Sequence, residues 1–243
     1  IARKNADINC DIADSKLIKK TISEIDPDII IHTAGLKDVD YCEKNKLQAQ
    51  KVNIQGTKNI INSLKTNVKV IFISSIAVYP NTSGLHKEEL TGPVNYYGYT
   101  KLEAEKIVRK MKNFVNLRTV FFGLSNNQNH QTFCNKILDY LSNRKQLRLY
   151  NDEFFSPVHI KTLILIIDSV IEKNIIGTYN IASRNGMSKK DFAIEFARSC
   201  GYYDFNYLTM SSAKDYSRVN RAMDSRLSPK KIEKKLNFRF LTL

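Results

Sequence analysis

The sequence has no apolar run long enough to cross a lipid bilayer. Its longest run lies at residues 163–170 and is interrupted by Asp168, whereas a membrane-spanning helix needs about 20 predominantly apolar residues. The first residues also show no signal-peptide pattern. We therefore expect no association with a membrane.

Cysteine is scarce as well, and its spacing does not match the usual disulfide or zinc motifs. The four cysteines form no C-x-x-C pair, and the four histidines do not cluster. Such spacing favours reduced thiols and argues against a zinc site, so we expect no bound metal. The cytoplasm is the expected location.

Acidic residues are outnumbered in this chain. It carries 38 lysines and arginines against 24 aspartates and glutamates, which gives a formal net charge of +14. The lysines are spread along the chain, and no helix-turn-helix, zinc-finger or RNA-binding signature accompanies them. This pattern predicts a lysine-rich surface and no nucleic-acid partner. A nucleotide cofactor or a nucleotide-linked substrate would also suit the positive charge.

The first half of the chain alternates apolar strands with helical patterns. Helices are predicted at residues 15–25, 46–64 and 102–111, and strands at 28–32, 68–73 and 115–121. Uninterrupted apolar strands that alternate with helices form a parallel sheet covered on both faces. The predicted fold class is therefore α/β, with a Rossmann-type doubly wound parallel sheet in residues 1–125.

The second half, residues 126–243, predicts a smaller, mixed lobe. Helices are expected at residues 129–143, 160–173 and 188–201 and near 229–236, with a short strand at 177–182. The tail from Asp215 is polar. We expect the lobe to lie over the strand ends and bind the substrate, while some of its segments return to the core of the first domain.

Small residues follow two of the predicted strands. Thr33-Ala34-Gly35 comes after the strand at 28–32, and Ser74-Ser75 comes after the strand at 68–73. Ligands of open parallel sheets bind at the carboxyl ends of the strands, and small residues there let a ligand approach the backbone. Both segments are therefore candidate ligand-binding sites.

Tyr97 and Lys101 have the spacing of neighbours on one helix face. Of the tyrosines at positions 96, 97 and 99, only Tyr97 lies four residues before Lys101. A nearby ammonium group favours the phenolate and lowers the pKa of a tyrosine, which can then exchange protons near neutral pH. The hydroxyl of Ser75 could hold a substrate oxygen beside it. This set predicts a carbonyl or alcohol site that works by hydride transfer.

One element that usually accompanies such a site is absent from the sequence. A dinucleotide-binding unit normally opens with a strand, a G-x-G-x-x-G turn and a helix whose N-terminus binds the pyrophosphate. No such pattern occurs here, and Ile1-Ala2-Arg3 looks like the end of a second strand. Three explanations stay open: the chain is a fragment, the first βα unit lies outside the given residues, or the protein has lost it.

The order of the motifs resembles the extended short-chain dehydrogenase/reductase superfamily and, within it, the dTDP-4-dehydrorhamnose reductase family. The resemblance runs nearly from end to end. The matching segments are Asp11-Ile12, residues 27–35 and 38–43, Val52-Asn53-x-x-Gly56-Thr57, Ser74-Ser75-x-x-Val78-Tyr79, Tyr97-Gly98-x-x-Lys101, Leu117-Arg118-Thr119, Ser156-Pro157 and Asp224-Ser225-Arg226-Leu227.

The resemblance implies roles for residues of these motifs. Ser75 would hydrogen-bond the reacting oxygen, Tyr97 would be the acid and base, and Lys101 would lower the pKa of Tyr97 and bind the nicotinamide ribose. The implied cofactor-binding residues are Asp11, Ile12, Thr33, Ala34, Gly35, Asn53, Ser74, Tyr97 and Lys101. The implied substrate-binding residues are Val39, Ser75, Phe121 and Arg226. The implied partners are a nucleotide-sugar substrate and, as an open option, a second copy in a homodimer.

Arg3 and Lys4 add an expectation about the cofactor. They follow the presumed second strand, near which the adenosine ribose lies in this fold. A basic residue there suits the 2′-phosphate of NADP, whereas an acidic residue suits NAD. We therefore predict that NADP(H) is preferred over NAD(H) and that Arg3 and Lys4 bind it.

Two departures from the family limit the reaction. The reductases usually carry an Asp-Tyr pair, and the related dehydratases an Asp-Glu pair, where this chain has Ile76-Ala77. This pair cannot transfer protons, so dehydration is not expected. The C-terminal arginine-proline of the family also reads Arg221-Ala222.

The leading hypothesis is an NADP-dependent reductase of a nucleotide-activated 4-keto-6-deoxysugar. A sugar-nucleotide epimerase would use the same three residues, Ser75, Tyr97 and Lys101, and is the alternative enzyme. A non-catalytic regulatory or binding subunit is the alternative of another class. The intact set of three residues argues against that subunit, whereas the missing glycine-rich turn mildly favours it.

Overall fold

The computed structural model describes residues 1–127, 131–212 and 219–243. Its strands are β1 (Ile29–His32), β2 (Lys69–Ile73), β3 (Phe114–Thr119), β4 (Phe121–Phe122), β5 (Leu147–Tyr150), β6 (Phe154–Phe155), β7 (Val158–His159), β8 (Gly177–Ile181), β9 (Met187–Ser188), β10 (Leu208–Ser211) and β11 (Asp224–Ser225). Its α-helices are α1 (Ser15–Ile25), α2 (Val39–Lys44), α3 (Lys46–Ala49), α4 (Gly56–Ser63), α5 (Tyr96–Val108), α6 (Phe133–Ser142), α7 (Ile160–Glu172), α8 (Lys189–Ser199) and α9 (Lys230–Leu236).

A parallel sheet with the strand order β1-β2-β3-β8 forms the core. Its central strands are apolar on both faces because helices cover both: α4 and α5 pack on the face with Val70 and Phe72, and α7 and α9 pack on the face with Ile71 and Val115. The predicted α/β fold with a Rossmann-type parallel sheet is confirmed.

Strand β1 lies at an edge of this sheet and keeps apolar surface exposed. Ile29 and Ile31 are 37% and 47% exposed. Ile31 is in register with Ile71, so it points to the face that α7 covers further along the sheet. On α7 itself, Ile164 and Leu165 are also exposed. In the described part of the chain, this corner of the sheet therefore has no covering helix.

The second half of the chain contributes both to the sheet and to a separate apolar cluster. Strand β8 completes the sheet, whereas α6, α8, β5 and β10 pack around Phe192 in the lobe. Short strand β6 pairs with β11 in parallel and with β9 in antiparallel orientation. The segments that return to the core are therefore β8, α7 and α9, and the domain boundary at residue 125 stays a prediction.

Several elements differ from their predicted bounds. The predicted helix 46–64 contains a π-helical turn at Gln50–Gln55 between α3 and α4. Helix α5 begins at Tyr96 rather than at residue 102, because the Asn95 side chain caps it by accepting the Gly98 N–H at 2.9 Å. Strand β3 ends at Thr119, two residues earlier than predicted.

The first residues are not a strand of the sheet. Ala2 forms a bridge with Asn9, and its carbonyl accepts the Cys10 N–H at 2.8 Å, so residues 2–10 form a closed loop. Residues 129 and 130 of the predicted helix 129–143, as well as Asp215, lie outside the described residues. Across the described ranges, no helix is both long enough and apolar enough to span a membrane.

Candidate active site

Ser75 lies where strand β2 ends, in a cavity of about 470 Å³. The cavity is also lined by Tyr97, Lys101 and Phe121. Ser75 is only 8% exposed, and its Oγ accepts the N–H of Ala77 at 3.1 Å. The Ser75 hydroxyl also hydrogen-bonds the Tyr97 side chain, so the two residues form one polar group at the wall of the cavity.

Glycine at position 98 brings Tyr97 close to Ser75. A Cβ atom on Gly98 would lie 2.0 Å from the carbonyl oxygen of Ala77, so only glycine allows the first turn of α5 to approach the turn after β2. Tyr97 and Lys101 lie one turn apart on α5, as the spacing predicts. The structure therefore brings the three predicted catalytic residues to one cavity.

The pKa of Tyr97 does not follow the expectation. Burial of its hydroxyl group raises the pKa above its usual range, and the hydrogen bond with the Ser75 side chain offsets only part of this rise. Lys101 does not contribute to this shift; its Nζ donates to the carbonyl oxygen of Ile73 at 2.7 Å and lies 4.0 Å from the centre of the Phe72 ring. The predicted lowering of the Tyr97 pKa by Lys101 is thus wrong for this arrangement.

Lys101 itself is poised near neutrality. Burial lowers the pKa of its ammonium group to about 7, although the negative charge of Glu105 opposes this shift. A lysine with this pKa changes its charge within the range where enzymes usually work.

Asn53 connects the turn after β1 to helix α5. Its Oδ1 accepts the Leu36 N–H at 2.7 Å, and its Nδ2 donates to the Leu36 carbonyl at 3.0 Å and to Thr100 Oγ1 at 2.9 Å. These bonds use its amide fully, and Asn53 is not among the residues that line the cavities. It therefore positions the turn and α5, and the prediction that it contacts the cofactor directly is not supported. Asn53 itself lies in the π-helical turn Gln50–Gln55.

A second cavity, of about 640 Å³, brings together most of the predicted cofactor-binding residues. Its lining includes Arg3, Lys4, Asp11, Ile12, Thr33, Ala34 and Gly35. Thr33, Gly35 and Leu36 also line the cavity with Ser75, so the two cavities meet at the turn after β1. Residues from four distant parts of the sequence thus form one continuous surface.

Ser74 stays a predicted cofactor-binding residue, but the proton of its hydroxyl is already used within the protein. It lines the first cavity, but its hydroxyl donates to Glu105 Oε1 at 2.5 Å and is thereby engaged in a buried polar cluster. A serine has one hydroxyl proton, so Ser74 has none to offer a cofactor.

Two of the predicted substrate-binding residues lie outside this cavity. Val39 opens helix α2 and does not line it. The guanidinium group of Arg226 binds both carboxylate oxygens of Asp224, at 2.9 and 2.7 Å, and lies over the Phe154 ring. Of the four predicted substrate-binding residues, Ser75 and Phe121 line the cavity. The side chain of Phe121 is 50% exposed.

Several residues that line the first cavity were not predicted from the sequence. Lys37 follows the β1 turn, and Ile164 and Ile167 present one face of α7 to the cavity. The apolar pattern of residues 160–172 predicts the helix, but apolar residues occupy more than one of its faces and so do not show which of them meets a ligand. The described residues contain no group of three or more histidine, cysteine, aspartate or glutamate side chains that could hold a metal ion.

Comparison with known proteins adds the family to this geometry. The profile of the RmlD substrate binding domain matches residues 2–242. The chain belongs to this family. It is 27% identical over 241 residues to the dTDP-4-dehydrorhamnose reductase of Escherichia coli, and the alignment covers 92% of the chain and 78% of that relative.

Solved structures agree with the fold. The dTDP-4-dehydrorhamnose reductase of Bacillus anthracis in complex with NADP superposes with a TM-score of 0.86 at 23% identity, over 96% of this chain and 82% of that one. The UDP-glucose 4-epimerase of Thermus thermophilus in complex with NAD gives a TM-score of 0.81 at 16% identity, over 93% and 77%. At these identities, the structural similarity establishes only that this chain has the same fold. Which reaction the protein catalyses has to be argued from the residues of the site.

His32 is linked through Thr57 to Asn53, which holds the turn after β1, and its burial predicts a pH dependence of the stability of the fold. Its Nε2 lies 2.9 Å from Thr57 Oγ1, which donates to the Asn53 carbonyl at 2.7 Å. Burial, reinforced by the charge of Lys101, lowers the His32 pKa from 6.5 to about 3. The folded protein therefore holds His32 neutral, while the unfolded chain takes up a proton below pH 6.5.

We predict that this histidine makes the fold sensitive to acid. Its contribution to stability is complete above pH 6.5 and is lost as the pH falls from 6.5 towards 3, by about 1.4 kcal/mol per pH unit. Chemical denaturation of the wild type and of His32→Gln at several pH values measures this slope. Between pH 6.5 and 3, the free energy of unfolding of the variant should change with pH less steeply than that of the wild type, by the slope that corresponds to one proton. Equal slopes for both proteins would contradict the prediction.

Proposed function

We propose that this protein is an NAD(P)-dependent reductase of a nucleotide-activated 4-keto-6-deoxysugar. The observation that carries the proposal is the meeting of Ser75, Tyr97 and Lys101 in one cavity that adjoins the second cavity at the β1 turn. Membership of the RmlD family and the names of its relatives supply the substrate class.

The residues of the second cavity suit the adenosine half of a nicotinamide dinucleotide. The small side chains of Thr33, Ala34 and Gly35 expose backbone at the carboxyl end of β1, while Arg3 and Lys4 supply positive charge. The bound dinucleotide would supply the hydride. With its adenosine half in the second cavity, the dinucleotide would extend its nicotinamide end into the first cavity. There Lys101 is the candidate partner for the nicotinamide ribose.

The pyrophosphate site requires more than these residues. The sequence contains no glycine-rich turn, and β1 leaves Ile29 and Ile31 exposed at the edge of the sheet. Exposed apolar edge strands normally pair with, or are covered by, another element. No residue of this chain is therefore assigned to the pyrophosphate, and the exposed edge at β1 is a surface on which another element could pack.

The chain's own residues divide the proton chemistry between them. The hydroxyl of Ser75 donates a hydrogen bond to the sugar carbonyl oxygen, and Tyr97 delivers the proton that this oxygen needs when the carbonyl carbon is reduced. Lys101, whose Nζ donates to the Ile73 carbonyl, is the donor we propose for the nicotinamide ribose, and in this arrangement it does not lower the pKa of Tyr97. Since burial raises the pKa of Tyr97, this hydroxyl keeps its proton until the reaction demands it.

The open side of the first cavity is the part that we propose binds the sugar. Phe121 lies there with half of its surface exposed, and Ile76 and Ile164 provide further apolar surface. We propose Phe121 as a residue that contacts the sugar; Val39 and Arg226 lie outside this cavity, and substrate contact stays a prediction for both. Location in the cytoplasm and assembly into a homodimer stay predictions.

Replacing Tyr97 with phenylalanine should abolish turnover while the fold is kept. Removal of the general acid should lower kcat by about 10²–10⁴-fold. The measurement is NADPH absorbance loss with a dTDP-4-keto-6-deoxy sugar. Tyr99→Phe is the matched control, because Tyr99 lies two residues on and does not line the cavity; it should keep wild-type activity.

Each other outcome of this assay has a defined meaning. A Tyr97→Phe enzyme within about threefold of the wild type would remove Tyr97 from the reaction. Interconversion of a UDP-hexose pair without net consumption of NADPH would identify an epimerase. Absence of both activities in the wild type, together with tight dinucleotide binding, would favour a non-catalytic binding subunit.

Arg3 and Lys4 should make NADPH the better cofactor. A charged contact to the 2′-phosphate is worth roughly 1.5–3 kcal/mol, or about ten- to hundredfold in discrimination. We predict that the double variant Arg3→Gln, Lys4→Gln loses this preference through a higher KM for NADPH and an unchanged KM for NADH. Lys16→Gln, on the exposed side of α1, is the control. Equal use of both cofactors by the wild type would refute the role of the pair and leave the reductase assignment intact.

A further inference from the structure

We propose that Glu105, which does not line either cavity, is a positioning residue that fixes the Ser75 end of strand β2 against helix α5 and maintains the positive charge of Lys101. This inference rests on the proposed reductase function for its meaning. Its physical content is the hydrogen bonds that Glu105 accepts from Ser74 and Arg118 and the effect of its charge on Lys101.

Glu105 lies one helical turn beyond Lys101 on α5 and is completely buried. Its Oε1 accepts hydrogen bonds from the Ser74 hydroxyl at 2.5 Å and from Arg118 Nε at 2.9 Å, and its Oε2 accepts from Arg118 Nη2 at 2.7 Å. The carboxylate is thus bound bidentately by a guanidinium group and also by the strand that leads to Ser75.

Two parallel hydrogen bonds join the end of β2 to α5. Ser74 donates to Glu105, while Lys101 donates from Nζ to the carbonyl of Ile73 at 2.7 Å. Consecutive residues of the strand are therefore tied to residues one turn apart on the helix. Ser75 follows directly, so these two bonds determine where its hydroxyl lies relative to Tyr97. Small errors in such a position are costly for catalysis.

The surroundings of Arg118 make Glu105 a rigid anchor. Arg118 is fully buried, and its Nη1 donates to the Glu88 carbonyl at 2.7 Å and to the Tyr79 hydroxyl at 3.0 Å. Tyr79 in turn donates to Asn180 Oδ1 at 2.5 Å, in strand β8. Arg118 donates four hydrogen bonds in this buried cluster, two of them to Glu105, and together they hold the partners in one geometry.

Glu105 is also the charge that favours the ammonium form of Lys101. The other titratable groups that face Lys101 are His32 on β1 and Tyr97 on α5; burial lowers the pKa of His32 to about 3, and burial raises the pKa of Tyr97, so both are uncharged at neutral pH. Burial lowers the pKa of Lys101 to about 7, and Glu105 opposes this shift. Without that carboxylate, Lys101 would lose its proton at a lower pH.

The first test removes the bridge without breaking the ion pair. Ser74→Ala should lower kcat for keto-sugar reduction by about tenfold or more, with little change in the KM values. Thr178→Val is the matched control, since it removes another buried hydroxyl of the same sheet, one that accepts from Asn116 at 3.3 Å far from the cavity. An equal change in kcat in both variants, or none in Ser74→Ala, would overturn the positioning role.

The second test reads the charge of Lys101 without turnover. In Glu105→Gln, checked for folding by circular dichroism, the Lys101 side-chain carbon signal, assigned with Lys101→Met, should titrate about one pH unit or more lower than in the wild type. An unchanged titration in the folded variant would refute the electrostatic part. If Glu105→Gln does not fold, the kcat comparison of Ser74→Ala with Thr178→Val decides the proposal.

The two tests also separate this inference from the proposed function. A wild-type protein that reduces no keto sugar would refute the reductase assignment, whereas the Lys101 titration would still confirm or refute the role of Glu105. An active wild type with an unchanged Ser74→Ala enzyme would refute the inference alone.

Discussion

The contact between helix α5 and the end of strand β2 is the constraint on which the candidate site depends. Gly98 allows the helix to approach the Ala77 carbonyl, and Ser74 and Ile73 bind side chains of the same helix. Tyr97 and Ser75 belong to these two elements, so their separation is a property of this contact. Apolar side chains pack the helix against the sheet, and the polar bonds select one relative position of the two.

Much of the fold could be predicted because it follows from periodicity. Helix α1 occupies the predicted residues, since Asp14 caps it and every third or fourth residue is apolar. The π-helical turn could not be predicted from that pattern. It depends on Asn53, whose partners Leu36 and Thr100 lie 17 and 47 residues away. Local sequence gives the helix, and distant hydrogen bonds decide its detail.

The same division holds for the site. The spacing of Tyr97 and Lys101 correctly places both on one helix face and one cavity. The role of Ser74 could not be read from its position beside Ser75, because successive residues of an extended strand point to opposite sides. Its hydroxyl therefore meets Glu105 inside the protein while Ser75 faces the cavity. Adjacent serines with the same chemistry thus separate into a structural and a candidate catalytic group.

Electrostatic tuning is the part that sequence spacing predicted wrongly, and the physical reason is desolvation. The expectation treated Lys101 as a charge that acts on Tyr97 across one helical turn. In the folded protein, burial acts on both groups and disfavours the charged form of each, so the pKa of the tyrosine rises and that of the lysine falls to about 7. A buried ammonium group needs a nearby anion to keep its proton. Glu105 is placed to be that anion, since it lies one turn beyond Lys101 on α5 and forms a buried ion pair with Arg118. The charge of Lys101 therefore depends on Glu105, and Glu105 is held in place by Arg118. The Tyr-x-x-x-Lys spacing has to be interpreted together with this buried carboxylate, which lies one turn further along the helix.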